Sequence, residues 1–256
     1  MSDLFAAFLL AERRHVQLVG GGGKTTLMLG LAAALRQRGA PVLVGTTTHI
    51  RDPEHCPVFV LEADPERRRC AAARALAQYG WACVAAGREP ETGKLRGLAA
   101  GEPDALYAAL PSAWMLIEAD GSRGLPLKAH EVHEPVLSPG VELVIAVVGL
   151  SALGRPLDDR TVHRPRLLAA RLGVPLGTPL GVDLLACAAV DLLAKAPPAA
   201  ARLVFVAQAG SADGSRARDL ATRILAAGAG IRRVVWGDLT PPVAPLSWLD
   251  AAEGPP

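Results

Sequence analysis

Two rhythms of apolar positions alternate along the chain. Short, largely apolar runs occur at Val16–Val19, Pro41–Thr46, Val58–Leu61, Trp81–Ala85, Trp114–Ala119, Glu142–Val148, Arg202–Ala207 and Arg233–Trp236. Several are continuous rather than alternating, the mark of strands covered on both faces. Between them, apolar residues recur three or four apart over Thr25–Arg38, Pro65–Tyr79, Pro103–Leu110, Arg166–Leu172, Val182–Ala194 and Ser215–Ala227, which predicts helices. The first of these carries Leu27, Leu31 and Leu35 on one stripe. It stops at Arg36-Gln37-Arg38-Gly39, where cations and a glycine suit a helix C-terminus. The alternation predicts an α/β fold, a doubly wound, mostly parallel sheet with right-handed crossovers.

Two segments break the rhythm. Gly87–Gly97 (GREPETGKLRG) reads as a hairpin tip joining Trp81–Ala85 to Leu95–Leu98, and the loops within Ser122–Pro165 read as insertions. No repeat or low-complexity linker divides residues 1–256, so one domain is expected. The stretches PPVAP (241–245) and EGPP (253–256) are expected to be a loose tail.

The most informative chemistry lies where the first strand meets the first helix. The segment HVQLVGGGGKTT, ending at Thr26, is an apolar strand, then Gly20, Gly21, Gly22 and Gly23, then Lys24, Thr25 and Thr26 opening a helix. Such a junction wraps backbone N–H groups around the phosphates of a nucleotide. Lys24 would reach the terminal phosphates, and the Thr25 hydroxyl would sit on magnesium. The long phosphate-loop motif needs a glycine at position 18, which is Leu18. What fits is the shorter Gly20-x-x-Gly23-Lys24-Thr25 form of Mur-ligase-like ATPases. A glycine-rich turn without a ligand is the other reading. These features place the sheet in a P-loop NTPase-like type.

Met115–Ser122 (MLIEADGS) ends an apolar strand in two acids. Glu118 and Asp120 are two apart, so on a strand both face one side and could hold magnesium opposite the glycine loop. Asp-Gly is also a turn signal by itself. In VGTTTH (Val44–His49), Thr47 and Thr48 could position a phosphate or a metal-bound water, although threonines are also good strand residues. The loop SRGLPLKAHEVHEP (Ser122–Pro135) gathers Arg123, Lys128, His130 and His133 beside Glu131 and Glu134, as a substrate lid or an exposed solvated loop would.

Composition narrows the function class. Lys and Arg number 27 against 25 Asp and Glu, and aromatics are 4%, so neither charge nor stacking surface points to nucleic acid. Cys56, Cys70, Cys83 and Cys187 stand apart, with no spacing for zinc or a disulfide framework. Cys70 follows Arg67-Arg68-Arg69, company that could favour a thiolate, although a basic surface face is the favoured reading. The stretch Phe5–Ala11 is too short for a secretory signal. The longest apolar run, Leu143–Leu153, is too short and broken to span a bilayer. A cytoplasmic protein with no membrane contact is expected.

The glycine loop, TTTH (Thr46–His49), GKLRGL (Gly93–Leu98), IEADGSRGLPLKAHEVHEPV (Ile117–Val136) and VHRP (Val162–Pro165), in that order, resemble the YqeC-type family. Its members are described as accessory proteins for selenium-dependent molybdenum hydroxylases, also called selenium cofactor biosynthesis proteins. The EADGSRGLPLK block is the specific part. The resemblance implies a partner molybdenum hydroxylase, its cofactor or a selenium donor. It places Lys24 and Thr25 on the phosphate loop and Glu118 and Asp120 at the acidic strand end. Arg123, Lys128, His133 and Glu134 fall on the adjoining loop, and His163 and Arg164 on a second loop. A guanine-reading Asn-Lys-x-Asp is absent after the late strand, where Ala207-Gln208-Ala209 stands, so ATP is expected before GTP. The expected activity is magnesium-dependent nucleotide hydrolysis or nucleotide-driven transfer. A chaperone or carrier without turnover is the alternative, and a Mur-like ligase ranks below both.

Overall fold

The computed structural model describes residues 4–53, 56–240 and 245–252. At its centre is a nine-stranded sheet. The strands are β1 (His15–Gly20), β2 (Val42–Thr46), β3 (Phe59–Val60), β4 (Trp81–Val84), β5 (Trp114–Glu118), β6 (Leu143–Gly149), β7 (Ala201–Ala207), β8 (Ile231–Gly237) and β9 (Ser247–Asp250). Their spatial order is β9-β8-β7-β6-β1-β5-β2-β4-β3. Every pairing is parallel except the last to form in sequence, β8 with β9. Among the described residues there are seven α-helices: α1 (Leu4–Ala7), α2 (Lys24–Gln37), α3 (Pro65–Tyr79), α4 (Glu102–Ala109), α5 (Pro165–Leu172), α6 (Val182–Asp191) and α7 (Gly214–Ala226).

The apolar runs explain the layering. In β6, every residue is buried, and alternate side chains enter opposite cores. Leu143, Ile145 and Val147 pack with Leu27, Leu31 and Leu35 of α2, whereas Val144, Ala146 and Val148 pack with Leu185 of α6 and Leu220 and Ile224 of α7. The stripe read on α2 is therefore its core face. Leu27, Leu31 and Leu35 are each 0% exposed and contribute roughly 1.5–3 kcal/mol apiece. A third core gathers Leu43, Val84, Met115 and Ile117 with Ala72 and Ala75 of α3 and Leu106 of α4. Two buried polar residues of β1 satisfy each other's surroundings at mid-sheet. The Gln17 amide donates to Ser138 Oγ (2.8 Å) and accepts from the Ser138 N–H (3.0 Å), with its Nε2 3.3 Å from His15 Nε2.

Local signals set the helix ends. The Asp64 side chain accepts the Arg67 N–H at 2.8 Å, Pro65 opens α3, and Gly80 ends it in the left-handed region at φ 73°.

The predicted strands and helices are all present with ends shifted by up to two residues, except that α6 closes at Asp191, three residues before its predicted end at Ala194. Helix α1 and edge strand β9 were not anticipated. Apart from Pro245, the two Pro-rich C-terminal stretches lie outside the described residues. Gly87–Arg88 pairs antiparallel with Leu95–Arg96, and His49–Ile50 joins the other side of Leu95–Arg96 to form a small separate sheet. The Gly149–Pro165 region contains a short 3-10 turn, Leu150–Ala152, and a two-residue strand, Val162–His163, parallel to Leu127–Lys128. Among the described residues, no helix is long and apolar enough to cross a membrane.

Candidate functional site

The glycine loop joins β1 to α2 in a space too tight for side chains. A Cβ on Gly20 (φ 105°) would lie 2.4 Å from the Val147 carbonyl oxygen, and one on Gly21 would lie 2.1 Å from that of Pro126. The first amides of the loop are spent on this packing. The Gly21 N–H donates to the Val147 carbonyl (2.7 Å) and the Gly22 N–H to that of Leu125 (2.6 Å). Intrahelical bonding begins with the Leu27 N–H on the Gly23 carbonyl at 2.8 Å. The N–H groups of Gly23, Lys24, Thr25 and Thr26 are those that a helix start leaves without an intrahelical partner. They form an end suited to an anion.

Lys24 is 2% exposed and folded back beneath the loop. Its Nζ donates to the carbonyls of Gly20 (2.8 Å) and Gly21 (3.2 Å). It also lies 3.1 Å from Asp120 Oδ1 and 3.6 Å from Glu118 Oε1. The Thr25 hydroxyl donates to Glu118 Oε2 at 2.7 Å. Thus Glu118, the last residue of β5, stands directly against the start of α2.

Asp120 lies beyond the end of β5, 1% exposed. Its Oδ2 accepts the Gly20 N–H (2.8 Å), sits 2.5 Å from His130 Nε2 and 3.5 Å from Lys128 Nζ. The two carboxylates consequently differ. Burial pushes the Glu118 pKa up, with Lys24 and the Thr25 hydroxyl opposing and Asp120 reinforcing the rise. Burial would also raise Asp120, but Lys24, the His130 hydrogen bond and Lys128 together hold it well below the usual carboxylate range. Asp120 anchors the loop and its lysine from below.

Lys128, 0% exposed, continues the chain of charges. Its Nζ donates to the Gly121 carbonyl (2.7 Å) and to Glu134 Oε2 (3.0 Å). Arg164 binds Glu134 through both terminal nitrogens (2.5 and 3.2 Å) and meets Glu131 through Nε at 2.8 Å. Against its burial, these cations hold the Glu134 pKa below its ordinary value. Lys195 ties the far side of the loop by donating to the carbonyls of Glu131 (3.0 Å) and Val132 (2.6 Å).

A cleft of about 1680 Å³ opens over this assembly, bordered by Gly21–Thr26, Thr48, Glu118, Arg123, Glu134 and His163 among others. Burial, and then Arg164, Lys128 and Arg123, lower the His163 pKa. Several residues read from the sequence stand elsewhere. The Thr47 hydroxyl is bonded to the Val136 carbonyl at 3.3 Å. His133 is 71% exposed, facing Glu131 at 3.6 Å and not bordering the cleft. Gln208 is held by Ser151, whose hydroxyl lies 2.5 Å from its Oε1. All four cysteines are free, and Cys70 is exposed on α3.

Two more residues belong here, His130 from the loop read in the sequence and Lys94 from outside it. His130 closes the Asp120 cage, and its signal was the extended i, i+2 relation to Lys128, which puts both on one buried face. Lys94 reaches the cleft from the small sheet, a placement set by tertiary structure alone. Among the described residues, no group of three or more His, Cys, Asp or Glu could hold a metal. Thr25 Oγ1 and Glu118 Oε2 are adjacent hard oxygens, a pair that fits magnesium completed by phosphate oxygens and water.

The family model described as YqeC protein matches residues 16–166. The chain is 39% identical over 150 residues to the "Uncharacterized protein YqeC" of Escherichia coli (strain K12), a match covering 58% of this chain and 57% of that protein. The chain thus aligns with just over half the length of that relative. The glycine loop, both carboxylates and the loops that carry Arg123 through Arg164 all fall inside the matched span.

Proposed function

The chain belongs to the YqeC family, and on that premise we propose that it binds a nucleoside triphosphate with magnesium at Gly20–Thr26, ATP before GTP. The observation that carries this reading is the contact of Thr25 Oγ1 with Glu118 Oε2 at 2.7 Å, at the mouth of a strand–glycine–helix turn. Phosphates would sit on the N–H groups of Gly23–Thr26, and magnesium on Thr25 and Glu118. The nucleotide's polarised phosphoryl group is the chemistry the bound ligand supplies. The protein's part is to orient and neutralise it, which is most of what phosphoryl transfer requires. Lys24 would leave the Gly20 and Gly21 carbonyls to meet the terminal phosphate, while Asp120 holds the loop. The work served is the maturation of a molybdenum hydroxylase, selenium-dependent or related, in the cytoplasm, as a single P-loop NTPase-like domain.

Release of inorganic phosphate from ATP tests the catalytic part. Magnesium-dependent release that Lys24→Ala abolishes in a folded protein supports it, and full turnover in that variant refutes it. The hydroxylase part is tested by that enzyme's activity in cells lacking this chain. Undiminished activity contradicts it.

A second reading has one observation in its favour. The Gly21 and Gly22 amides and Lys24 are occupied by the protein itself. A nucleotide-gated chaperone or carrier with hydrolysis at background would fit such a closed loop. Tight binding without turnover would select it.

A further inference from the structure

The cleft carries more free positive charge than phosphates on the glycine loop would use. Its volume of about 1680 Å³ exceeds the roughly 300–1,000 Å³ of ordinary small-molecule sites. Away from the loop it is bounded by Thr48, Asp52, Lys94, Arg123, Glu134 and His163. The acids of this stretch are already paired with cations outside it. Asp52 meets Arg88 at 2.7 and 2.9 Å, and Glu134 meets Lys128 at 3.0 Å and Arg164 at 2.5 Å.

Arg51, Arg123 and Lys94 are the cations of the cleft's border left over. All three are exposed, and among the described residues none of their side chains forms a hydrogen bond or an ion pair. Arg123 is also held at φ 55°, next to Gly124 at φ 77°. A non-glycine residue enters this left-handed region only against steric strain. The turn brings it to the same cleft wall as Gly22, whose added Cβ would lie 2.9 Å from the Gly124 carbonyl oxygen. Arg123 is also among the cations that, after burial, Arg164 and Lys128, lower the His163 pKa.

We propose that this stretch is a second anion site, which takes a phosphomonoester beside the terminal phosphate of the nucleotide and binds it through Arg123 and Lys94. The guanidinium offers a two-pronged contact and the ammonium a point charge. Two uncompensated cations match a dianion better than a single carboxylate. Arg164 and Lys128 do not join them, because Glu134 already holds both. The position beside a nucleotide rests on the function proposed above, whereas the anion site itself rests only on Arg123, Lys94 and the cleft.

The probe is methyl phosphate, titrated calorimetrically into wild type, Arg123→Ala and Lys94→Ala. One arm is saturated with magnesium and the β,γ-imido analogue of ATP, and the other has no nucleotide. The expected result is binding to the analogue-loaded protein that weakens about tenfold in Arg123→Ala, the loss of one charge-assisted contact, and by a smaller factor in Lys94→Ala. Analogue binding with no methyl phosphate binding, or with equal binding to all three proteins, overturns the second site. Absence of analogue binding sinks the nucleotide reading instead. The nucleotide-free arm then decides this one: binding that depends on Arg123 supports it and binding that does not overturns it.

Discussion

Replacing Asp120 by asparagine probes the buried charge cage beneath the glycine loop. The carboxylate is 1% exposed, between Lys24 at 3.1 Å and Lys128 at 3.5 Å, and it accepts the Gly20 N–H. Removing one partner of a buried ion pair costs about 3–5 kcal/mol. Asparagine keeps an oxygen for Gly20, while Lys24 retains Glu118 at 3.6 Å and Lys128 retains Glu134 at 3.0 Å. The expected loss for Asp120→Asn is therefore at the low end, about 3 kcal/mol. For a chain of this size that lowers Tm by roughly 6–12 °C. Urea unfolding followed by circular dichroism at pH 7 reads it as a lower midpoint with unchanged slope.

The pH dependence has a definite sign. The folded-state pKa of Asp120 is depressed, so its contribution is present above the ordinary value of 3.8 and is lost as pH falls below it. The wild-type and variant curves should converge there. A second cycle with Lys24→Met should show coupling of about 1–3 kcal/mol between the two sites. A variant within about 0.5 kcal/mol of wild type at pH 7, as for an ordinary surface change, would refute the cage.

Other perturbations follow from the same geometry. Gly21→Ala forces a Cβ to 2.1 Å from the Pro126 carbonyl oxygen, so urea unfolding should show a loss of about 1–3 kcal/mol, in the range of overpacked cores. Glu118→Gln leaves a buried, upward-shifted carboxyl neutral. It should fold normally yet weaken magnesium-dependent nucleotide binding by roughly ten- to a hundredfold, read by calorimetry across magnesium concentrations. His15 is 0% exposed, and burial lowers its pKa despite Asp104, the Gly140 carbonyl and Glu142. The unfolded chain takes up that proton first, so stability should fall as pH drops below 6.5. That slope should flatten in His15→Gln, and an unchanged slope would contradict the assignment.

Much of the fold was written in the hydrophobic pattern. The continuous run LVIAVVG is buried along its whole length in β6, and Leu27, Leu31 and Leu35 are the core face of α2. Strand β9 escaped because Ser247–Asp250 (SWLD) is short, lies at an edge and is mostly exposed, so no apolar run marks it. The glycine loop between β1 and α2 and its acidic neighbour were legible from residue order, since a strand–glycine–helix junction constrains its own geometry. What stayed hidden depended on distance in space. Glu118 and Asp120 read as an equivalent pair, but β5 stops at Glu118, and the turn beyond carries Asp120 under the loop into the company of Lys24, Lys128 and His130. His133 drew notice through its neighbours HEVHE, yet the turn that Lys195 clamps sends it outward while His130 points in.

The central claim is that Gly20–Thr26 holds a nucleotide through magnesium. Its most direct test is titration calorimetry of the purified chain with ATP, GTP and ADP, with and without Mg²⁺, on wild type and Lys24→Ala. The account predicts saturable binding of ATP that requires magnesium and is lost in Lys24→Ala. Absence of binding by any of the three nucleotides to the folded wild-type protein would contradict it.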